Sequence, residues 1–183
     1  MKPVAVLDSS VVVSGIGWRG GEARAVLRLL ALRGFVSART SWLKAEWAET
    51  VERVAHEESR WRNKNWRAWL DWLNHASVFF EEIPIRVTVR RDPKDDPVVM
   101  AAVAARAHFI VVYDPDLLDL EKPYGIACVT PRAFLSRFVE AVSALQFSLR
   151  LPSPSDFGER GFIERALGEK QHPHLTAPAF PSR

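Results

Sequence analysis

Short apolar runs alternate with amphipathic stretches along most of the chain. The runs at 4–7, 109–113 and 126–129 are short and rich in β-branched residues, which predicts buried strands. Weaker strand candidates lie at 35–37, 78–80 and 86–89. Apolar residues recur with a helical period at 22–33, 41–55, 60–76, 96–107 and from 130 onwards. This alternation predicts an α/β fold, a three-layer α/β/α sandwich with a central, twisted, mainly parallel sheet.

Residues at the ends of the predicted helices support their boundaries. Ser41 is expected to cap the helix that follows it, and Gly34 is a natural stop for the helix before it. Asp96-Pro97 and Thr130-Pro131 each combine a capping residue with a proline suited to the first helical position.

The composition changes after Leu151. Five of the twelve prolines lie in the last 32 residues, at 152, 154, 173, 178 and 181. The sequence therefore predicts one domain over residues 1–147, and a linker and tail over 148–183 with at most a short helix at 157–168.

Composition excludes several classes of protein. Apolar residues make up 48% of the 183, enough for a globular domain. No apolar run approaches the roughly 20 residues that span a bilayer, and no signal-peptide pattern is present, so we expect a cytoplasmic protein without a membrane partner. The single cysteine, Cys128, excludes a disulfide framework. A net charge of +3 permits a nucleic-acid partner without requiring one.

Two aspartates follow strongly apolar predicted strands. Asp8 ends the first run and Asp114 ends the run at 109–113. Ligands of open α/β sheets bind at the carboxyl ends of the strands, so the two carboxylates are expected to converge on one crevice. The competing interpretation is that each is a turn or cap residue, for which aspartate is also favoured.

Further acids extend this candidate site. Glu46 lies beside the buried face of its predicted helix, although for this residue taken alone a surface charge is the favoured interpretation. In the segment 91–97, Asp96 is the expected cap, which leaves Asp95 beside the positive end of a helix. Asp116 is a candidate auxiliary acid after Asp114.

Convergence of these carboxylates would demand a cation. Two carboxylates about 5 Å apart repel by roughly 3 kcal/mol at an effective dielectric near 20. Oxygen ligands select hard ions, so Asp8, Glu46, Asp95 and Asp114 predict a Mg²⁺ or Mn²⁺ site. Such a site suits phosphodiester hydrolysis, because the ion activates water and stabilises the leaving oxygen.

Five segments, in this order, resemble the PIN domain, and in particular the toxin components of bacterial toxin–antitoxin systems. They are 6–14 around Asp8, 41–46 ending at Glu46, 91–96 containing Asp95, 109–118 around Asp114, and 130–135. The resemblance covers residues 3–142. It implies a Mg²⁺- or Mn²⁺-dependent ribonuclease whose metal-binding acids are Asp8, Glu46, Asp95 and Asp114. It also implies an RNA substrate, a homodimer and, for a toxin, inhibition by a small antitoxin protein.

The sequence departs from the family pattern at polar positions beside the acids. Ser10 stands where Asn is usual, and Val112 where a hydroxyl residue is usual. The usual asparagine and hydroxyl residue would orient the carboxylates, and the two changes remove or shorten these polar groups. A PIN-like module that binds RNA or a protein without cleaving is therefore the main alternative. A phosphatase with Asp8 as nucleophile is disfavoured because Ser10 replaces its second acid, and a phospho-receiver domain has no use for Glu46.

Basic residues supply candidates for RNA contact. On a helix over 60–76, Arg60, Lys64 and Arg67 would form an outward stripe, with Trp61 at its edge for base stacking. A solvated face with snorkelling side chains explains the same pattern. Arg91 and Lys94 flank the acids and could neutralise phosphates, or balance the neighbouring aspartates.

Overall fold

A computed structural model describes residues 2–18, 20–61, 63–83 and 96–143, with the backbone alone for 96 and 139–143. The strands of the described residues are β1 (Val4–Leu7), β2 (Val36–Arg39), β3 (Ser77–Phe79), β4 (Phe109–Val111) and β5 (Ala127–Val129). The α-helices are α1 (Ser9–Gly17), α2 (Glu22–Ala31), α3 (Ser41–Glu57), α4 (Trp66–Ala76), α5 (Asp96–Ala104), α6 (Pro115–Leu118) and α7 (Pro131–Ser143). Short 3₁₀ helices occupy Ser59–Trp61 and Pro123–Gly125.

The five described strands form one parallel sheet in the order β3-β2-β1-β4-β5. Leu7 pairs with Val111 across β1 and β4, and Val111 pairs with Val129 across β4 and β5. Helices pack against the sheet as an α/β/α sandwich, which confirms the predicted fold class. The predicted strand at 86–89 lies outside the described residues.

The core follows from the apolar character of the central strands. Ala5, Val6 and Leu7 on β1 are fully buried, as are Ile110 and Val111 on β4. Strands buried on both faces read as continuous apolar runs, which is why these two runs were the clearest sequence signals. Phe134 on α7 adds an aromatic cluster, and its ring lies 5.0 Å from that of Phe35 and 5.5 Å from that of Phe109.

Helix ends correct one detail of the sequence prediction and give the physical basis of another, the stop at Gly34. Thr40, rather than Ser41, caps α3, because the Thr40 hydroxyl accepts a hydrogen bond from the Leu43 N–H at 3.3 Å. At the end of α2, Arg33 adopts a left-handed conformation (φ 54°) and Gly34 follows it. The Gly34 N–H donates to the Leu29 carbonyl at 2.9 Å, which closes the helix in a Schellman-type motif.

The predicted helix over 60–76 is wrong. The chain forms the 3₁₀ helix Ser59–Trp61, and α4 then begins at Trp66, where the Asn65 side chain accepts a hydrogen bond from the Ala68 N–H. Trp61 is 1% exposed, so its ring cannot stack on RNA as predicted. The apolar face of α4 buries Trp69, Leu70, Trp72 and Leu73.

Close helix packing fixes α1 against its neighbours. A Cβ atom on Gly15 would lie 2.6 Å from Leu27 Cδ1, and one on Gly17 would lie 2.7 Å from the Trp61 ring. The buried Arg24 side chain donates to the carbonyls of Ile16 at 3.1 Å and Trp18 at 3.2 Å, which satisfies backbone groups at the end of α1.

None of the helices in the described part of the chain combines the length and the apolarity that a bilayer crossing requires. The predicted tail over 148–183 and its short helix at 157–168 lie outside the described residues. The domain limit at residue 147 therefore stays a prediction.

Candidate active site

The topology creates a crevice between β1 and β4. The chain leaves β1 towards β2 on one side and leaves β4 towards β5 on the other. Ligands of doubly wound sheets bind at such a switch point, beyond the carboxyl ends of the strands. Asp8 directly follows β1 and Asp114 lies three residues after β4, so both lie at this edge.

Asp8 is a buried carboxylate at the start of α1. It is 9% exposed, and its Oδ2 accepts hydrogen bonds from the Ser10 backbone N–H at 2.8 Å and the Ser10 hydroxyl at 2.5 Å. Burial raises the pKa of Asp8 above its usual range, and the charge of Asp114 adds to this effect. The hydrogen bonds from Ser10 and Ser9 oppose it. Asp8 therefore carries its charge at an energetic cost, which a bound cation would offset.

Asp114 lies at the exposed end of the same crevice. Its Oδ1 accepts a hydrogen bond from the Asp116 N–H at 2.8 Å, so it caps α6. The predicted auxiliary acid Asp116 is half-buried in the first turn of that helix. The cap interpretation and the site interpretation of Asp114 thus hold together, because the carboxylate that caps α6 also acts on the pKa of Asp8.

Glu46 is tied to the crevice by two hydroxyl groups. Its Oε1 accepts hydrogen bonds from the Ser9 hydroxyl at 3.2 Å and the Thr50 hydroxyl at 3.1 Å. The next residue, Trp47, donates its indole N–H to the Leu7 carbonyl at 2.9 Å, which fixes α3 against the end of β1. Glu46 is therefore half-buried and bonded to Ser9, the residue after Asp8, and is not a free surface charge.

Ser10 connects the two strand ends. Its hydroxyl donates to Asp8 and accepts a hydrogen bond from the Tyr113 backbone N–H at 3.3 Å. Serine thus reaches both partners at a position where the family usually has asparagine. Val112, the second departure, is fully buried and contributes no polar group.

Ser9 and Thr50 were missed in the sequence. They contact Glu46 from different elements, and Ser9 lies 37 residues before it, so no local pattern marks them as partners. The spacing of Glu46 and Thr50, one helical turn apart on α3, is the only signal that was available.

The three described carboxylates suit a hard divalent ion. Hydrogen bonds to Oδ2 of Asp8, Oε1 of Glu46 and Oδ1 of Asp114 hold these side chains in place. Carboxylate oxygens are ligands of the kind that Mg²⁺ and Mn²⁺ prefer. Among the described residues, no group of three acidic, histidine or cysteine side chains is placed so that it could hold a metal ion. Three residues predicted to belong to this site lie outside the described residues: Asp95, Arg91 and Lys94.

The predicted basic stripe does not exist as one helical face. Arg60 belongs to the 3₁₀ helix and pairs with Glu58 at 2.8 Å, while its guanidinium lies 4.7 Å from the centre of the Trp18 ring. Arg67 on α4 pairs with Glu52 at 3.7 Å. Lys64 is half-buried in the turn between them. RNA contact by these three residues stays a prediction.

Comparison with known proteins places this architecture in a family. No curated protein and no solved structure is significantly similar to the chain. The model of one family, described as PIN domain, matches residues 4–116, which is more than half of the chain. The matched segment includes Asp8, Glu46 and Asp114 and four of the five described strands. The chain belongs to the PIN domain family.

Proposed function

We propose that the chain is a Mg²⁺- or Mn²⁺-dependent endoribonuclease that hydrolyses phosphodiester bonds of cytoplasmic RNA. PIN domains are generally nucleases. The observation that carries the proposal is the buried Asp8 at the switch point. Burial raises the pKa of Asp8, and the charge of Asp114 raises it further. A buried carboxylate beside another carboxylate is costly unless a positive charge completes the site.

Each residue has a role in this proposal. Asp8, Glu46, Asp95 and Asp114 would hold the ion, and Asp116 is an auxiliary acid. When bound, the ion supplies charge neutralisation at the phosphate and lowers the pKa of water. Ser10 orients Asp8 and the loop before Asp114, while Ser9 and Thr50 orient Glu46.

The proposal includes a biological role and partners. We propose that the protein is the toxin of a toxin–antitoxin system, acts as a homodimer and is inhibited by a small antitoxin protein. These features follow from the family resemblance of the five sequence segments. Induced production of the wild type should then arrest growth of a bacterial host, and production of Asp114→Asn should not.

Cleavage of a long single-stranded RNA tests the enzyme directly. Purified wild type is incubated with the RNA in Mn²⁺, Mg²⁺ and EDTA, beside Asp114→Asn. Asparagine keeps the oxygen that caps α6, so the variant should fold and lose cleavage. Asp71→Asn, an exposed change on α4, is the matched control and should cleave like the wild type.

The outcomes separate the proposal from its main alternative. Metal-dependent cleavage that is lost in Asp114→Asn and kept in Asp71→Asn supports the ribonuclease. Equal activity in all three proteins would indicate a contaminating nuclease. RNA that is bound and recovered intact by the wild type would favour a binding module, for which the buried Val112 in place of a hydroxyl residue offers a reason.

A further inference from the structure

An exposed tyrosine immediately precedes Asp114, one of the carboxylates of the candidate active site. Tyr113 lies between the fully buried Val112 and the carboxylate of Asp114, and it is 39% exposed. Consecutive Cα atoms are about 3.8 Å apart, so the backbone of Tyr113 lies immediately beside that of Asp114. None of the roles derived above uses this ring.

The backbone that carries the ring is held by the site itself. The Tyr113 N–H donates to the Ser10 hydroxyl, and the same hydroxyl donates to Asp8. One residue earlier, the Val112 N–H donates to the Val129 carbonyl at 3.0 Å, which keeps the segment in line with β5. A ring on a fixed backbone loses little conformational entropy when it binds a flat partner.

The position of this ring selects one kind of partner. A phosphodiester held by the carboxylate site has a nucleobase on each side, and the nearer base falls within reach of a side chain next to Asp114. Bases stack on tyrosine with little dependence on sequence, because each base has an aromatic face. Bases of a duplex are already stacked and paired, so only an unpaired nucleotide can use the ring.

We propose that Tyr113 stacks on the base that flanks the scissile phosphate. The inference rests on the proposed function, since it places the RNA at the carboxylate site. It adds the residue that contacts the base.

Binding to two defined probes tests this stacking. The probes are a fluorescein-labelled 12-nucleotide oligoadenylate and a 12-unit ribose-phosphate strand of the same length without bases. Every protein carries Glu46→Gln to suppress cleavage, and affinity is measured by fluorescence anisotropy in Mg²⁺, with the RNA checked for integrity afterwards. Tyr113→Ala should weaken oligoadenylate binding by about tenfold and leave binding of the abasic strand unchanged.

Two variants control for other roles of the side chain. Tyr113→Phe keeps the ring and should bind oligoadenylate within about twofold of its parent. Tyr124→Ala removes the only other tyrosine, which is 61% exposed. Tyr124 precedes β5, so it lies at the amino-terminal ends of the parallel strands, away from the carboxyl ends that carry Asp8 and Asp114. It should leave the affinity for both probes unchanged.

The result can contradict the inference without touching the proposed enzyme. Equal weakening of both probes by Tyr113→Ala, no weakening of either, or no binding of oligoadenylate by the parent protein would each overturn stacking. Metal-dependent cleavage by the wild type would still stand in those cases. If Tyr113→Ala weakens binding of oligoadenylate alone and the wild type does not cleave RNA, the stacking is supported and the proposed hydrolysis is contradicted.

Discussion

At the scale of single residues, Asp8 shows that this site is not arranged for stability. The carboxylate is nearly excluded from water and faces a second acid, although an apolar or amide side chain would fit the same position at lower cost. Residues that reduce stability in the absence of a ligand are typical of functional sites.

Asp8→Asn should raise the thermal unfolding midpoint at pH 7 in EDTA. Because the folded protein has a raised Asp8 pKa, the protonated form favours folding. That contribution is complete below the unfolded carboxyl pKa of about 3.9, and it is lost as pH rises through the higher folded pKa. The advantage of the variant should therefore grow from acid towards neutral pH, measured by circular dichroism melts at several pH values.

A control and an added ion sharpen this measurement. Asp71→Asn, on the exposed side of α4, should show no such pH-dependent gain. Mg²⁺ or Mn²⁺ should raise the midpoint of the wild type and have less effect on Asp8→Asn, because ligands stabilise the state that binds them. A variant less stable than the wild type at pH 7 in EDTA would contradict the proposed cost of the charge.

Ser10→Ala tests the hydroxyl that joins Asp8 to the Tyr113 backbone. The variant removes both hydroxyl contacts and keeps the Ser10 N–H bond to Asp8. Partners that orient metal ligands typically contribute about 10–100-fold to activity or metal affinity, so we expect a loss of that size in RNA cleavage or in half-saturation by Mn²⁺. Ser10→Thr should restore most of it, and Ser14→Ala on the same helix should have no effect. Full activity of Ser10→Ala would show that the hydroxyl is dispensable.

At the scale of secondary-structure elements, the sequence predicted what apolar periodicity encodes. The strands β1 and β4 were found because they are buried on both faces and form continuous apolar runs. The helix α2 was found because its apolar residues recur along one face. The break before α4 was missed because residues 60–66 contain no glycine or proline, and the cap of α4 depends on the Asn65 side chain. The clamp of Ser9 and Thr50 on Glu46 was missed for a different reason, since it joins separate elements.

Gly15→Ala should destabilise the contact between α1 and α2. The added methyl group would lie 2.6 Å from Leu27 Cδ1 and 3.2 Å from the Ala23 carbonyl oxygen, and Leu27 is buried and has little room to move. Overpacking of this kind costs about 1–3 kcal/mol, more than the roughly 1 kcal/mol that alanine gains over glycine in a helix. Urea unfolding measures the difference.

Gly20→Ala is the matched control, because a Cβ there meets no atom within 4 Å. Its free energy of unfolding should stay within about 0.5 kcal/mol of the wild type. If the two variants are equally stable, the close approach of α1 and α2 is not what requires glycine at position 15.

At the scale of the whole molecule, the family match ends before the fold does. The match stops at residue 116, but β5 pairs with β4 beyond it, and Phe134 on α7 fills the core. A chain ending at 116 would expose an edge of the sheet and lose the aromatic cluster around Phe134.

Truncation tests which part of the chain completes the domain. A chain ending at 147 should unfold cooperatively in urea, whereas a chain ending at 116 should show no cooperative transition. All seven tryptophans lie before residue 116, so the same fluorescence signal reports on both proteins. Cooperative unfolding of the shorter chain would show that β5 and α7 are additions to a domain already complete.

The pairing of β1 with β4 also bears on when the candidate site forms during synthesis of the chain. Residue 7 meets residue 111, and the carboxylate pair of Asp8 and Asp114 exists only once that pairing has formed. During translation, the amino-terminal segments leave the ribosome and begin to fold before residue 114 has been added. A chain assembled in this order has no complete carboxylate site until β4 and Asp114 have cleared the exit tunnel.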